Sequence, residues 1–193
     1  MTDYQSNNYN AARLLDAVGD GVTGINDQRK NVGGNLNFQH KFNTKGRELM
    51  ADLNYLTYLS NGNQRVWNFS YWPEGTLNDS EEFLYLVPSN IKIYTAKVDY
   101  IHPLKNKGSW EAGVKSSVID NDNRSDYFDI IGLTQRIDNT KSNHFKYREN
   151  IHAAYMNTRK EWKRVGVQLG LRAETTQAWG NQLGNEAVKG STF

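Results

Sequence analysis

Tyr94-Thr95-Ala96-Lys97-Val98-Asp99-Tyr100-Ile101-His102-Pro103-Leu104-Lys105-Asn106-Lys107-Gly108-Ser109-Trp110-Glu111-Ala112-Gly113-Val114-Lys115-Ser116-Ser117-Val118 is the stretch that decides the fold. Before the Lys/Gly turn, Tyr94, Ala96, Val98 and Tyr100 alternate with Thr95, Lys97 and Asp99. After it, Trp110, Ala112, Val114 and Val118 alternate with Glu111, Gly113, Lys115 and Ser117. A period of two is the mark of a strand, and two such runs about a short turn make an antiparallel hairpin. Lys97, Asp99, Glu111 and Lys115 then share one sheet face. In hydrocarbon a single Lys or Arg at the midplane costs about 2–4 kcal/mol, whereas in a watery lumen it costs little. The charged face is therefore expected to point to water and the Tyr/Val/Ala/Trp face to apolar surroundings.

The pattern repeats on either side. Leu36, Phe38, His40 and Phe42 oppose Asn35, Asn37, Gln39 and Lys41; beyond the turn Asn43-Thr44-Lys45-Gly46, Leu49, Ala51, Leu53 and Tyr55 oppose Glu48, Asp52 and Asn54, with Met50 and Leu56 as exceptions. Around Thr158-Arg159-Lys160-Glu161, Tyr147, Ile151, Ala153 and Tyr155 are assigned to the apolar face against Lys146, Arg148, Asn150 and His152. On the last run Val165, Val167, Leu169, Leu171 and Ala173 oppose Arg164, Gln168, Arg172 and Glu174. The polar stretches at about 60–90 and 121–144 read as external loops, with Val66–Trp72 as a strand reaching beyond the membrane. Residues 1–32, with Gly19, Gly21 and Gly24, read as an external loop or tail containing a helical turn over Asn10–Val18. Short turn, long strand, long loop is the rhythm of an outer-membrane barrel. The predicted fold class is all-β: an antiparallel meander of long hairpins forming part of a transmembrane β-barrel, with about six strands over roughly 35–176. Six strands do not close a wide barrel, so an open curved sheet or a small non-native closure is expected.

Composition agrees. The 193 residues are 37% apolar with a mean hydropathy of −0.77, yet contain 11 Tyr, 7 Phe and 5 Trp. A sheet with one apolar face and aromatic interfacial girdles has this composition. Net charge is +2 and the signs are mixed, so no basic stripe points to nucleic acid. Cys is absent, which removes disulfides and thiol chemistry. No run approaches the roughly 18 apolar residues of a membrane helix, and the N-terminus has neither the charged region nor the apolar core of a signal peptide. The chain is accordingly read as a fragment, 1–193, of a barrel domain.

No catalytic chemistry stands out, and no enzyme activity or cofactor is expected. His40, His102, His144 and His152 lack metal-ligand spacing. Asp120-Asn121-Asp122-Asn123-Arg124-Ser125-Asp126 places oxygen ligands alternately, but lacks the sixth-position Gly and twelfth-position Glu of a calcium loop; a solvated external loop is the better reading. Asp99 and Glu111 are better explained, beside Lys97 and Lys115, as a lumenal charge ladder than as an acid/base pair. The candidate lumen-facing charges are Lys97, Asp99, Glu111, Lys115, Arg164, Arg172 and Glu174. Trp67, Tyr71 and Trp72, with Phe69 and Tyr85, form an aromatic set that either packs over the barrel mouth or stacks a ligand.

Four motifs also resemble a known family. Tyr94–Leu104, Lys105–Gly108 and Trp110–Lys115 resemble the "DY-x-HPL…KG…LEAGxK" hairpin of the outer-membrane β-barrel family in Bacteroidetes TonB-dependent receptors. Tyr147–Tyr155 is similar to its "E-N-I-x-A-A-Y" strand and Gly170–Glu174 to its "GLRxE" strand, in the same order and spacing over 35–176. The resemblance implies a receptor or transporter in the Gram-negative outer membrane, importing a ligand with energy supplied through TonB. It implies outer-membrane lipid, the TonB system and, as a candidate, a surface lipoprotein as partners, with the plug domain and most strands outside this chain. A rival reading is a soluble β-sandwich binding carbohydrate through Trp67, Tyr71 and Trp72. A complete small barrel is disfavoured because eight strands are usually needed.

Overall fold

A computed structural model describes residues 2–105 and 107–184. Asn106, in the central turn, lies outside the described residues. The strands are β1 (Thr2–Tyr9), β2 (Leu15–Lys41), β3 (Glu48–Tyr71), β4 (Leu77–Leu104), β5 (Gly108–Ile131), β6 (Thr134–Ile137), β7 (Asn143–Glu161) and β8 (Gly166–Gln182). They form one antiparallel sheet in the order β1-β2-β3-β4-β5-β7-β8, with the four-residue β6 paired to the end of β5. The sheet is not closed into a barrel.

Backbone chemistry fixes the turns. In the β2–β3 turn the Asn43 side-chain oxygen accepts from the amides of Lys45 (2.9 Å) and Arg47 (3.3 Å). Gly46 sits at φ +92°, a left-handed conformation that a Cβ disfavours. Gly75, at φ +90°, does the same in the β3–β4 turn, donating to the Trp72 carbonyl at 2.8 Å. In the β7–β8 turn the Trp162 amide donates to Val165 O at 2.8 Å.

Two expectations are corrected here. Residues 1–32 are not a loop: β1 and the first half of β2 pair from Thr2↔Thr23 to Asn8↔Ala17, and Asn10–Leu14 is a hairpin turn, not a helical one. Polar residues form strands here because the backbone ladder, not a core, holds them. Nor are 60–90 and 121–144 long loops. β3 and β4 pair through to Tyr71↔Leu77, leaving a five-residue turn, and β5 runs through the Asp120–Asp126 segment. Pro88 lies inside β4, where it pairs with Asn61 of β3; pairing to β5 lapses between Leu86↔Asp126 and Ser89↔Asn123. A proline without an N–H interrupts a ladder in this way.

The sandwich alternative fails, because every described strand belongs to this one sheet and no second layer covers it. Ala153 is the one buried apolar side chain among the described residues. The accessible surface is 14043 Å², against about 9,300 Å² expected for a compact 22.1 kDa soluble monomer. Leu36 is 66% exposed, Val114 55% and Leu171 83%. An apolar face this bare needs an apolar surrounding, since about 25 cal/mol is at stake for each Å² left in water.

Candidate functional site: a charged face backed by a tilted apolar band

Direct cross-strand partners share a face, so the register assigns sides without reference to hydropathy. One row runs Asn37–Asp52–Lys97–Lys115–Ala153–Glu174, and the next Gln39–Met50–Asp99–Gly113–Tyr155–Arg172. Ile101–Glu111–Asn157–Gly170 follows. Lys97, Asp99, Glu111, Lys115, Arg172 and Glu174 thus occupy one face, as the alternation predicts. Arg164 does not join them: it lies in the turn before β8, where no pleat sets its direction. On β2–β3 the same face carries the cross-strand pairs Asn35–Asn54, Asn37–Asp52 and Gln39–Glu48.

Asp99 is the centre of this face. It is 1% exposed, ion-paired to Lys97 Nζ at 2.6 Å and receives a hydrogen bond from the Tyr155 phenol. Gly113 stands between Asp99 and Tyr155 in their row. A Cβ there would lie 2.4 Å from Tyr155 Cζ and 2.6 Å from Asp99 Oδ1, so the bridge across β5 exists only because this residue has no side chain. Lys97 Nζ and the Arg172 guanidinium stand 6.0 and 5.9 Å from the Tyr155 ring centre, and Arg172 also pairs with Glu174. Asp99 is fully engaged, and Glu111 lies on the next row with no bond to it, so the two form no acid/base pair.

β7 has its sides reversed relative to the expectation. Tyr147, Ile151, Ala153 and Tyr155 lie on the charged face, and Asn150, His152, Ala154 and Met156 on the other. Apolar residues occur on both faces of β7, so alternation alone selected the wrong set; the pairing Gly113↔Tyr155 fixes it.

With that correction the opposite face shows a continuous apolar band. It spans Val32–His40 on β2, Leu49–Tyr55 on β3, Tyr94–Leu104 on β4, Trp110–Val118 on β5, Ala154–Met156 on β7 and Val167–Ala173 on β8, with Phe42 just past the end of β2 and Val165 just before the start of β8. The band crosses the strands obliquely. Its upper border falls at the Val32 row on β2 but at the Ala173 row on β8, six residues lower after five strand steps. At roughly 3.3 Å per residue and 4.8 Å per strand this is about 20 Å over about 24 Å, a slope near 40°. The hairpin turns step in the same direction, by four residues from the β2–β3 to the β7–β8 turn. Strands of membrane barrels tilt by about 35–45°. From Tyr94 to Leu104 the band measures about 33 Å along the strand, and about 25 Å in height once tilted.

Aromatic residues border the band. Tyr55 and Tyr94 pair at 5.0 Å at the upper edge. At the short-turn edge Tyr100 and Trp110 pair at 5.4 Å, His102 stacks on Trp110 at 5.5 Å, and Phe42 meets His40 at 4.6 Å. Above the band the outward row turns charged, with Arg148 and Asp120 paired at 3.3 Å. In the Asp120–Asp126 segment each aspartate has a cation: Asp122 takes Lys146 (3.3 Å), with His144 Nε2 also 2.7 Å from its carboxylate, and Asp126 takes Arg124 (2.7 Å). No group of three His, Asp or Glu among the described residues is arranged to hold a metal.

The aromatic set splits. Trp67, Phe69 and Tyr71 alternate on the face away from the charges; the Arg65 guanidinium covers Trp67 at 5.4 Å, and Trp72 opens the β3–β4 turn. Tyr85 lies on the charged face instead, with Phe83 stacked on Tyr127 at 5.0 Å, Tyr85 bonded to Ser125 Oγ at 2.6 Å, and Lys141 over Tyr127 at 4.3 Å. Sequence reasoning missed this Phe83–Tyr85–Tyr127 group. Its signal was the i, i+2 spacing of Phe83 and Tyr85, obscured by placing them in a loop.

No curated protein matches the chain. A profile of the outer membrane protein beta-barrel family matches residues 40–192, from the end of β2 through β8. Membership implies an outer-membrane location in a Gram-negative bacterium. The matched region holds most of the tilted apolar band and all of the Asp99 bridge, and on these grounds the chain belongs to the outer membrane protein β-barrel family.

Proposed function

We propose that the chain is a segment of the wall of a TonB-dependent outer-membrane receptor that imports a ligand without covalent chemistry. The apolar band meets lipid, and the Asp99–Lys97–Tyr155–Arg172 face lines the aqueous lumen. The observation that carries this reading is the charged face itself, which alternates residue by residue with a bare apolar one. The order and spacing of the hairpin motifs, similar to those of Bacteroidetes TonB-dependent receptors, support the receptor class. Strands that extend far above the band raise Phe83, Tyr85 and Tyr127 into the ligand's entry path on the lumenal side. Trp67 and Tyr71 face outward, with Trp72 in the turn beside them, so they serve a ligand or surface lipoprotein that approaches from outside the wall. A plug domain connects the barrel to TonB, and neither nucleic acid nor a cofactor takes part.

The test is uptake. Cells with and without the intact gene are offered labelled iron chelates, corrinoids and oligosaccharides, with and without a protonophore. At least one compound should enter only cells with the gene, and that entry should stop with the protonophore. Gene-dependent uptake that survives the protonophore would instead mean a passive pore.

A further inference from the structure

The charge on this chain is unevenly placed. The three short turns and their flanking strand ends, at 41–48, 104–108 and 159–164, carry nine Lys or Arg against two Glu. That end is +7, so the rest of the chain is −5 to give the net +2. Among the described residues, Arg159 with Glu161 is the one ion pair that these basic residues make. Lys45, Lys105, Lys107, Lys163 and Arg164 are exposed, and none has a carboxylate within 4 Å among the described residues. Seven uncompensated positive charges within a few turns repel one another, and a protein carries such a cost where a counter-charge is supplied from outside.

The position says what supplies it. The collar begins where the apolar band stops. Arg47 marks the border: its guanidinium lies 4.9 Å from the Phe42 ring centre, and its Nε donates to the Tyr100 hydroxyl at 2.6 Å. Lys160 reaches across to the Lys105 carbonyl at 3.4 Å, which joins the second and third turns into one rim. Aromatic rings at the hydrocarbon edge with long cations just beyond them form a surface shaped for a headgroup layer.

We infer that this collar seats the anionic phospholipid headgroups of the leaflet at the short-turn end. The inference rests on the lipid-facing reading of the apolar band. Each Lys or Arg near an anionic surface favours it about fivefold, so the collar both selects lipid and fixes which end of the chain stays at that leaflet. The far end, with a net negative remainder, has no such preference.

The test compares the intact protein in vesicles of phosphatidylcholine alone and of phosphatidylcholine with phosphatidylglycerol. Spin-labelled lipids report how strongly each headgroup is retained at the protein, and protease protection reports insertion. Phosphatidylglycerol should be retained at least about threefold over phosphatidylcholine, and 0.5 M salt should reduce the preference. A K105Q/K107Q/K163Q/R164Q variant, changed only in the turns, should still insert and lose most of that preference. Equal retention of the two lipids by an inserted wild-type chain would overturn the inference and leave the lipid-facing band intact. An inserted chain that shows no headgroup preference but captures soluble polyglutamate would reassign the collar to an acidic protein. Failure to insert into either vesicle would overturn the lipid-facing band, and this inference with it.

Discussion

A lysine scan across one row of the sheet separates a tilted membrane band from a horizontal one. Val114 on β5 and Ala173 on β8 lie in the same cross-strand row, through Ala154. If that row were parallel to the bilayer, a lysine would cost the same at either position. The oblique band places them differently. Val114 lies four residues from each border, Trp110 and Val118, about 13 Å along the strand and about 10 Å in height at a 40° tilt. Ala173 is itself the upper border on β8, where Leu169 takes the middle. A lysine at the midplane costs about 2–4 kcal/mol and near the interface about 0–1. With the alanine variant as reference at each site, so that the lost side chain cancels, Val114→Lys and Leu169→Lys should each cost about 2–4 kcal/mol, and Ala173→Lys about 1 or less. The assay is guanidinium unfolding of the intact protein from phosphatidylcholine vesicles, followed by tryptophan fluorescence. If Ala173→Lys cost as much as Val114→Lys, the diagonal reading would be wrong. If all three were neutral, the face would not touch lipid.

Gly113→Val should push Tyr155 off Asp99 and cost about 2 kcal/mol or more, with the phenol's fluorescence and hydrogen-exchange protection reporting the broken bridge; an unperturbed Tyr155 would refute the close approach. Asp99→Ala should cost about 1–3 kcal/mol, less than breaking a fully buried pair, because the Lys97 partner remains partly hydrated; Asp99→Asn, which keeps an acceptor for Tyr155, should cost less, and unfolding titrations decide. In the loop between β6 and β7, hydrogen bonds from the Thr140 hydroxyl and amide, and then from Lys141, hold the Asp138 carboxyl at about 2, below its ordinary 3.8. A lowered carboxylate stabilises the folded loop above the unfolded value and loses that contribution as pH falls from about 4 to about 2; Thr140 amide shifts should move with a midpoint near 2, and a midpoint near 4 would count against the bonds. Phe83→Ala with Tyr127→Ala should reduce ligand uptake more than Trp67→Ala does, and the reverse order would place the ligand on the outer side.

The sequence carried the strand cores of β2, β3, β4, β5 and β8 clearly, because apolar and polar residues alternate there without conflict. Phe38 against Gln39, and Val98 against Asp99, state the sides before any pairing is known. β7 was not legible. Tyr147, Ile151 and Ala153 form an alternating apolar set on the charged face, and Ala154 and Met156 on the opposite face are weak signals. Only the register, a property of two strands together, separates the choices. The strand extensions were hidden for a different reason: Asn61 and Asn63 lack strand propensity, yet backbone pairing across two neighbours holds them extended. The Asp99–Tyr155 bridge was out of reach because its enabling residue, Gly113, reads alone as a weakness in a strand; its purpose is visible only once Asp99 and Tyr155 stand on either side of it.

Sidedness is the central claim, and the chain offers a clean way to measure it, since it has no cysteine of its own. Single cysteines placed in turn at Glu111, Ala112, Val114, Lys115 and Ser116, in outer membranes of cells making the intact protein, can be challenged with a charged, water-soluble thiol reagent. Cysteines at 111 and 115 should react, and those at 112, 114 and 116 should stay protected until the membrane is dissolved. Uniform labelling, or the opposite phase, would contradict the account.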